Sequence, residues 1–244
     1  MVPLPSRGAP VLFGMAGRGV VPSVLVLASE APGPELVDDW TLVHELSHLA
    51  VPYVPSEDAW LSEGFVTYYQ EVLRARAGFQ TPAVSMQLIE EGFGRGRATG
   101  TGRTLADESR VMRENHTFYR VYWGGAAIAM KLDVELRRSS GGKRSLDDVM
   151  RHLSRRAGNG EDVSAAALVA DADAFLGAPT FASIAGPLLA SSAFPAVDGC
   201  YAWLGLAVRD GRVVTLPSAP GAAERDRIFA PAAPTRSFEL APTR

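Results

Sequence analysis

Two histidines four residues apart, in His44-Glu45-Leu46-Ser47-His48, constrain this chain more than any other feature of its sequence. On a helix both imidazoles project from one face about one turn apart and can close on a single metal ion. Glu45 stands beside the pair, poorly placed to join the same chelate but well placed to take a proton from a water in the metal's open position. A catalytic zinc site holds three protein ligands in a tetrahedron and leaves the fourth place open. The third ligand must then come from elsewhere, and Glu63 is the best candidate. The 14 residues between His48 and Glu63 are enough to end one helix, turn, and start another beside it.

The flanking pattern agrees. Leu36, Trp40, Val43 and Ala50 recur at helical spacing around the histidines. Pro34 and Glu35 suit the start of one helix through this stretch, and Pro52 with Pro55 its end. Ser56 suits the cap of a second helix with Glu57 and Asp58 in its first turn, an apolar stripe of Trp60, Leu61, Phe65, Tyr68 and Val72, and Gly78 as its stop. Glu63 would then sit one turn into a rigid element.

With these residues in view, His44-Glu45-x-x-His48 and its downstream glutamate resemble the gluzincin zinc metallopeptidases, the group of thermolysin and aminopeptidase N. Asp58-Ala-Trp-Leu-Ser-Glu63-Gly-Phe is similar to the third-ligand segment of the aminopeptidase N and glycyl aminopeptidase branches. Val121-Tyr122-Trp123-Gly124-Gly125 resembles their tyrosine segment, where the phenol stabilises an oxyanion. The resemblance runs from about Gly14 to about Leu153. It implies a mainly α (α+β) thermolysin-like catalytic domain and one Zn2+ per chain held by His44, His48 and Glu63. It further implies Glu45 as general base, Tyr122 as oxyanion donor, and a peptide or protein substrate. Two departures stand out. The connection from His48 to Glu63 is about one helical turn shorter than in the aminopeptidase N branch. The stretch Gly14-Met15-Ala16-Gly17-Arg18-Gly19 also lacks the glutamate that binds a substrate's free amino group in that branch. Gly14, Met15, Ala16 and Gly17 thus remain substrate-binding candidates without amino-terminal specificity.

At 244 residues and 47% hydrophobic content the chain can bury a substantial core. A net charge of −3 leaves no basic footprint for nucleic acid. Cys200, the single cysteine, is expected to be a small buried hydrophobe. No apolar run is long enough to span a membrane as a helix. Val20 to Ala28 could pass for the core of a signal peptide, but its β-branched content and Pro22 favour an edge strand for substrate backbone. Three regions follow: a strand region over 1–33, read as the remnant of a β subdomain; the helical catalytic region over 34–200; and a β-hairpin with a loosely ordered tail over 201–244. The resembling enzymes carry a sizeable β domain before this point, so the chain is expected to be a compact relative or a piece of a longer protein.

Elsewhere, Thr81-Pro82 should open a helix to about Phe93, followed by a mobile glycine-rich loop over Gly92–Gly102. Gly141-Gly142 should end the Tyr122 helix, and Ser145 with Asp148 should cap the next. Helices are expected near 164–176 and 180–191, and a hairpin around Arg209-Asp210-Gly211-Arg212. His116 is expected in a solvated loop and His152 on a solvated basic surface. Asp39 and Thr67 are candidate partners for the ring nitrogens that the metal would leave free. Two other functions use the same residues: a catalytically silent binding or scaffold module, and zinc hydrolysis of a non-peptide substrate.

Overall fold

The computed structural model describes residues 2–4, 9–18, 21–30, 33–155 and 163–231, and it is mainly helical with two small sheets. The first sheet joins β1 (Val2–Leu4), β2 (Val11–Arg18) and β3 (Pro22–Ser29) in the order β1-β3-β2. β3 is the central strand, parallel to β1 and antiparallel to β2. The expectation for Val20 to Ala28 is therefore corrected: its strand has neighbours on both sides, and the outer strand beside the cleft is β2, which carries Gly14 to Gly17.

Two short helices follow, α1 (Gly33–Asp38) and α2 (Thr41–His48), where one was expected. The break has a local cause. The Asp39 carboxylate accepts a hydrogen bond from the Thr41 amide at 2.8 Å, and Arg74 donates to the Asp38 carbonyl at 2.6 Å. Both bonds satisfy backbone groups that a continuous helix would have paired internally.

A 3-10 turn at Ser56–Asp58 leads into α3 (Ala59–Arg76), whose expected stripe is buried in the core. α4 (Pro82–Ala98) begins with Thr81 capping the Val84 amide, and α5 (Leu105–Asn115) with Thr104 capping Asp107. α6 (Phe118–Ser140) crosses α3 at two glycines. A Cβ on Gly64 would fall 2.4 Å from the Gly125 Cα, and one on Gly125 would fall 1.9 Å from the Trp60 carbonyl oxygen. Such an approach is open only to glycine on both sides. It sets Glu63, next to Gly64, against the turn that carries Tyr122.

The expected loop over Gly92–Gly102 is corrected in its first half, since α4 continues to Ala98. Gly92 and Gly96 face the core there. A Cβ at Gly92 would reach the Trp123 ring at 2.3 Å, and one at Gly96 the Phe194 ring at 2.5 Å. Glycine here is a packing notch on a helix, with the tertiary contact overriding the residue's weak propensity.

Gly141 and Gly142, both at positive φ, end α6. α7 (Leu146–Ser154) starts with the Ser145 amide bonded to the Asp148 carboxylate. α8 (Ala165–Leu176), α9 (Thr180–Leu189) and α10 (Asp198–Leu204) complete the helical part. β4 (Leu206–Arg209) and β5 (Arg212–Thr215) form the hairpin, turning through Asp210 and Gly211 at positive φ. The tail is corrected over α11 (Ala222–Phe229), where Ile228 and Phe229 are buried and Arg76 bonds the Ile228 carbonyl at 2.7 Å. Residues 232–244 lie outside the described residues. Cys200 is buried, and no helix among the described residues is long and apolar enough to cross a membrane.

Candidate metal centre

α2 and the second turn of α3 lie side by side, and they bring His44, His48 and Glu63 together. Glu63 Oε2 is 3.3 Å from His44 Nε2 and 3.5 Å from His48 Nε2. Ligand bonds near 2.0–2.1 Å around a tetrahedral ion put neighbouring ligand atoms about 3.3 Å apart, so the two spacings fit one zinc. Side-chain exposures of 5%, 14% and 19% leave the cluster sheltered but reachable.

The hydrogen bonds behind His44 fix which nitrogen faces the cluster. His44 Nδ1 lies 3.0 Å from Gln70 Oε1, and the Gln70 amide nitrogen donates to Glu71 Oε1 at 2.6 Å. Glu71 in turn accepts from Arg74 at 3.3 Å and from Gln80 at 2.7 Å. A carboxylate can only accept, so the Gln70 oxygen is left for His44, and Nδ1 carries the proton. Nε2 then turns a lone pair towards the Glu63 carboxylate. Two lone pairs at 3.3 Å repel unless a cation or a proton lies between them, which is a second sign that the group suits a metal. Burial pushes the Glu63 carboxyl up, but hydrogen bonds and positive charge from the two imidazoles in their protonated form, which relieve the same repulsion as a metal would, outweigh it and hold its pKa far below the usual carboxylate range.

The expected partners are corrected. Asp39 is taken up by the Thr41 amide, and the buried Thr67 hydroxyl makes no hydrogen bond among the described residues. Gln70 lies two turns beyond Glu63 on the same face of α3, a spacing that sequence periodicity could have shown.

Tyr122, on the second turn of α6, faces the same place. Its ring stacks on His44 with centroids 6.2 Å apart, and its hydroxyl is close enough to Glu63 to feel the carboxylate. Burial, then the negative charge of Glu63, push its pKa well above the ordinary phenol value, so it stays a proton donor. Glu45 lines the same cleft and touches β2. A Cβ on Gly14 would come within 2.7 Å of Glu45 Cγ and 2.6 Å of Thr41 Cγ2. Gly14, Met15 and Ala16 line the cleft and Gly17 does not.

The cleft has a volume of about 540 Å3. Sequence reasoning missed several of its walls: Trp40, Tyr53, Ser62, Met112 and Arg113. The last two became visible only with α5, whose Thr104-to-Asp107 cap was the available signal. His116 is exposed at the left-handed end of α5, its ring near Phe118, and does not line the cleft. His152, expected in solvent, is half-buried against Phe175 and 3.2 Å from Asp171.

No family model matches the sequence, and no curated protein matches it. The fold is similar to the crystal structure of an aminopeptidase N family protein from Idiomarina loihiensis, with a TM-score of 0.64 and 16% sequence identity. The match covers 85% of this chain and 41% of that one, so the chain spans less than half the length of the protein it resembles. At that identity the likeness is one of fold, with a cluster at its cleft that can hold a metal ion.

Proposed function

We propose that this chain is a zinc-dependent metallopeptidase of the gluzincin type, with His44, His48 and Glu63 as ligands. The observation that carries this reading is convergence: three ligand atoms within 4.8 Å of one another, the Glu45 carboxylate and a half-buried phenol all face one cleft. Zinc, when bound, supplies a water whose pKa falls towards about 7 and polarises a carbonyl oxygen.

The chain's own groups account for the rest. Glu45 is on the face of α2 that looks into the cleft, where it can take the water's proton and return it to the leaving amine. Tyr122 keeps its hydroxyl protonated and can donate a hydrogen bond to the oxygen of the scissile carbonyl as negative charge builds there. Gln70 holds the His44 ring so that Nε2 faces the cluster. The free edge of β2 offers backbone donors and acceptors to an extended segment, and Gly14 lets that segment lie close to Glu45.

Glu45→Gln tests the reading, because the amide keeps the shape and cannot accept a proton. Zinc content should stay near one per chain, while hydrolysis of a peptide mixture should fall by at least about a hundredfold. Unchanged turnover would reassign the base. Zinc binding with no hydrolysis by the unaltered protein would leave a binding module on this fold.

A further inference from the structure

We propose that Arg113 makes this cleft select peptides that carry a carboxylate, either an acidic side chain or a free carboxyl terminus. Cleavage of those peptides rests on the peptidase reading; recognition of the carboxylate does not.

Charges around the cleft are few. Besides the histidines its lining holds Glu45, Glu63 and Arg113. Glu63 belongs to the metal cluster, and Glu45 is bound up with the reacting water. Arg113 is the fixed charge left over, and it has no ion pair among the described residues. It sits on the last turn of α5, next to Met112 in the lining and near enough to Tyr122 for its charge to be felt by the phenol. A guanidinium presents a planar fork of donors that fits a carboxylate in two parallel hydrogen bonds.

The opposite preference, for a cationic amino terminus, lacks a partner. β2 carries no carboxylate where it borders the cleft. Of the acidic residues of α4 and α5, Glu90 is engaged with Tyr201 and Arg97, Glu91 with Gln87, Asp107 with Arg110 and Thr104, and the fully buried Glu108 with Thr101, while Glu114 is exposed and does not line the cleft. Around this arginine the walls are apolar and exposed, with Phe13, Met15, Trp40 and Tyr53 each 46–49% accessible. A peptide with apolar side chains and one negative charge fits such a surface, and a basic peptide does not.

The test uses amino-terminally acetylated, fluorescent hexapeptides of one apolar sequence, made with Glu or Gln at a scanned position and with a free or amidated carboxyl terminus. Binding to zinc-loaded Glu45→Gln protein is measured first, so that no cleavage is needed. The free acid or the Glu peptides should bind about tenfold tighter than their neutral partners, and the preference should shrink with salt. Which series shows it separates a side-chain carboxylate from a terminal one. In the Arg113→Ala, Glu45→Gln double variant the ratio should fall to about one, and with Arg113→Glu it should invert. Equal binding of acidic and neutral peptides, or a preference that survives Arg113→Ala and so belongs to the metal, would overturn the proposal. Preferential binding by a protein that hydrolyses none of these peptides would keep the arginine's role and sink the peptidase reading instead.

Discussion

Gly125→Ala puts the geometry of the α3–α6 crossing to a quantitative test. The added Cβ would lie 1.9 Å from the Trp60 carbonyl oxygen and 2.7 Å from the Gly64 Cα. Carbon and oxygen in close non-bonded contact stay about 3.3 Å apart, so the helices must separate by about 1.4 Å. Both obstacles are backbone and no side chain can swing aside. The overpacking cost should therefore lie near the upper end of the usual range, about 3 kcal/mol. Replacing a helical glycine by alanine recovers about 1 kcal/mol of backbone entropy, leaving a loss of about 2 kcal/mol. For a chain of this length that lowers the melting temperature by roughly 4–8 °C. Gly94 in α4 is the control, because a Cβ there meets nothing within 4 Å. Gly94→Ala should raise the melting temperature by roughly 2–4 °C. The same displacement moves Tyr122 away from Glu63, so turnover should fall in Gly125→Ala and hold in Gly94→Ala. Differential scanning calorimetry with a peptide-hydrolysis assay reads both effects. A Gly125→Ala protein as stable as Gly94→Ala would refute the close crossing.

Three further outcomes follow from particular contacts. Gln70→Leu removes the acceptor of the His44 Nδ1–H bond, so zinc affinity measured against a competing chelator should fall about 10–100-fold, with Gln70→Glu restoring much of it. Tyr122→Phe deletes one hydroxyl from the cleft; kcat should drop about a hundredfold or more while zinc content and KM change little, and an unchanged kcat would remove the phenol from the chemistry. Asp148→Ala should cost about 1 kcal/mol through loss of the α7 cap. Although burial raises the Asp148 carboxyl, the Ser145 amide and Arg151 outweigh it and set its pKa below the ordinary value. Its stabilisation is thus present at neutral pH and is lost as pH falls through that lowered pKa, so thermal melts of the two proteins should converge in strong acid.

The clustering of the candidate site was legible where its logic is local. His44 and His48 share a face because they are four apart on one helix, and the stripe from Trp60 to Val72 announces the helix that brings Glu63 beside them. Ser145 with Asp148, and Thr81 with Pro82, state helix starts within four residues. The misreadings arose where a distant contact decides the local outcome. Nothing near Asp38 says that Arg74 will take its carbonyl and help break α1 from α2. Gly92 and Gly96 read as a loop until Trp123 and Phe194 fill the space that a side chain would occupy. The strand at β3 was visible, but its place at the centre of the sheet depends on β1, a three-residue element that pairs along its other side.

The same distinction separates the proposed metal ligands from the proposed specificity residue. The ligands must obey the tetrahedral spacing of one ion, which ties three residue types to two helices and leaves a recognisable pattern. A residue that reads the substrate faces no such constraint, since Arg113 needs only to reach the cleft from any element bordering it. It does so from the end of α5, on a helix whose amphipathic face buries Leu105, Glu108, Ser109 and Met112 and so turns the following residue towards the opening. On the proposed role of Arg113, specificity would follow from how α5 docks beside the Ser56–Asp58 turn and α6. A substitution in that seam, such as Ser109→Val, which removes the hydroxyl that accepts the Trp60 amide at 3.1 Å, should shift the preference among substrates more than it shifts zinc affinity.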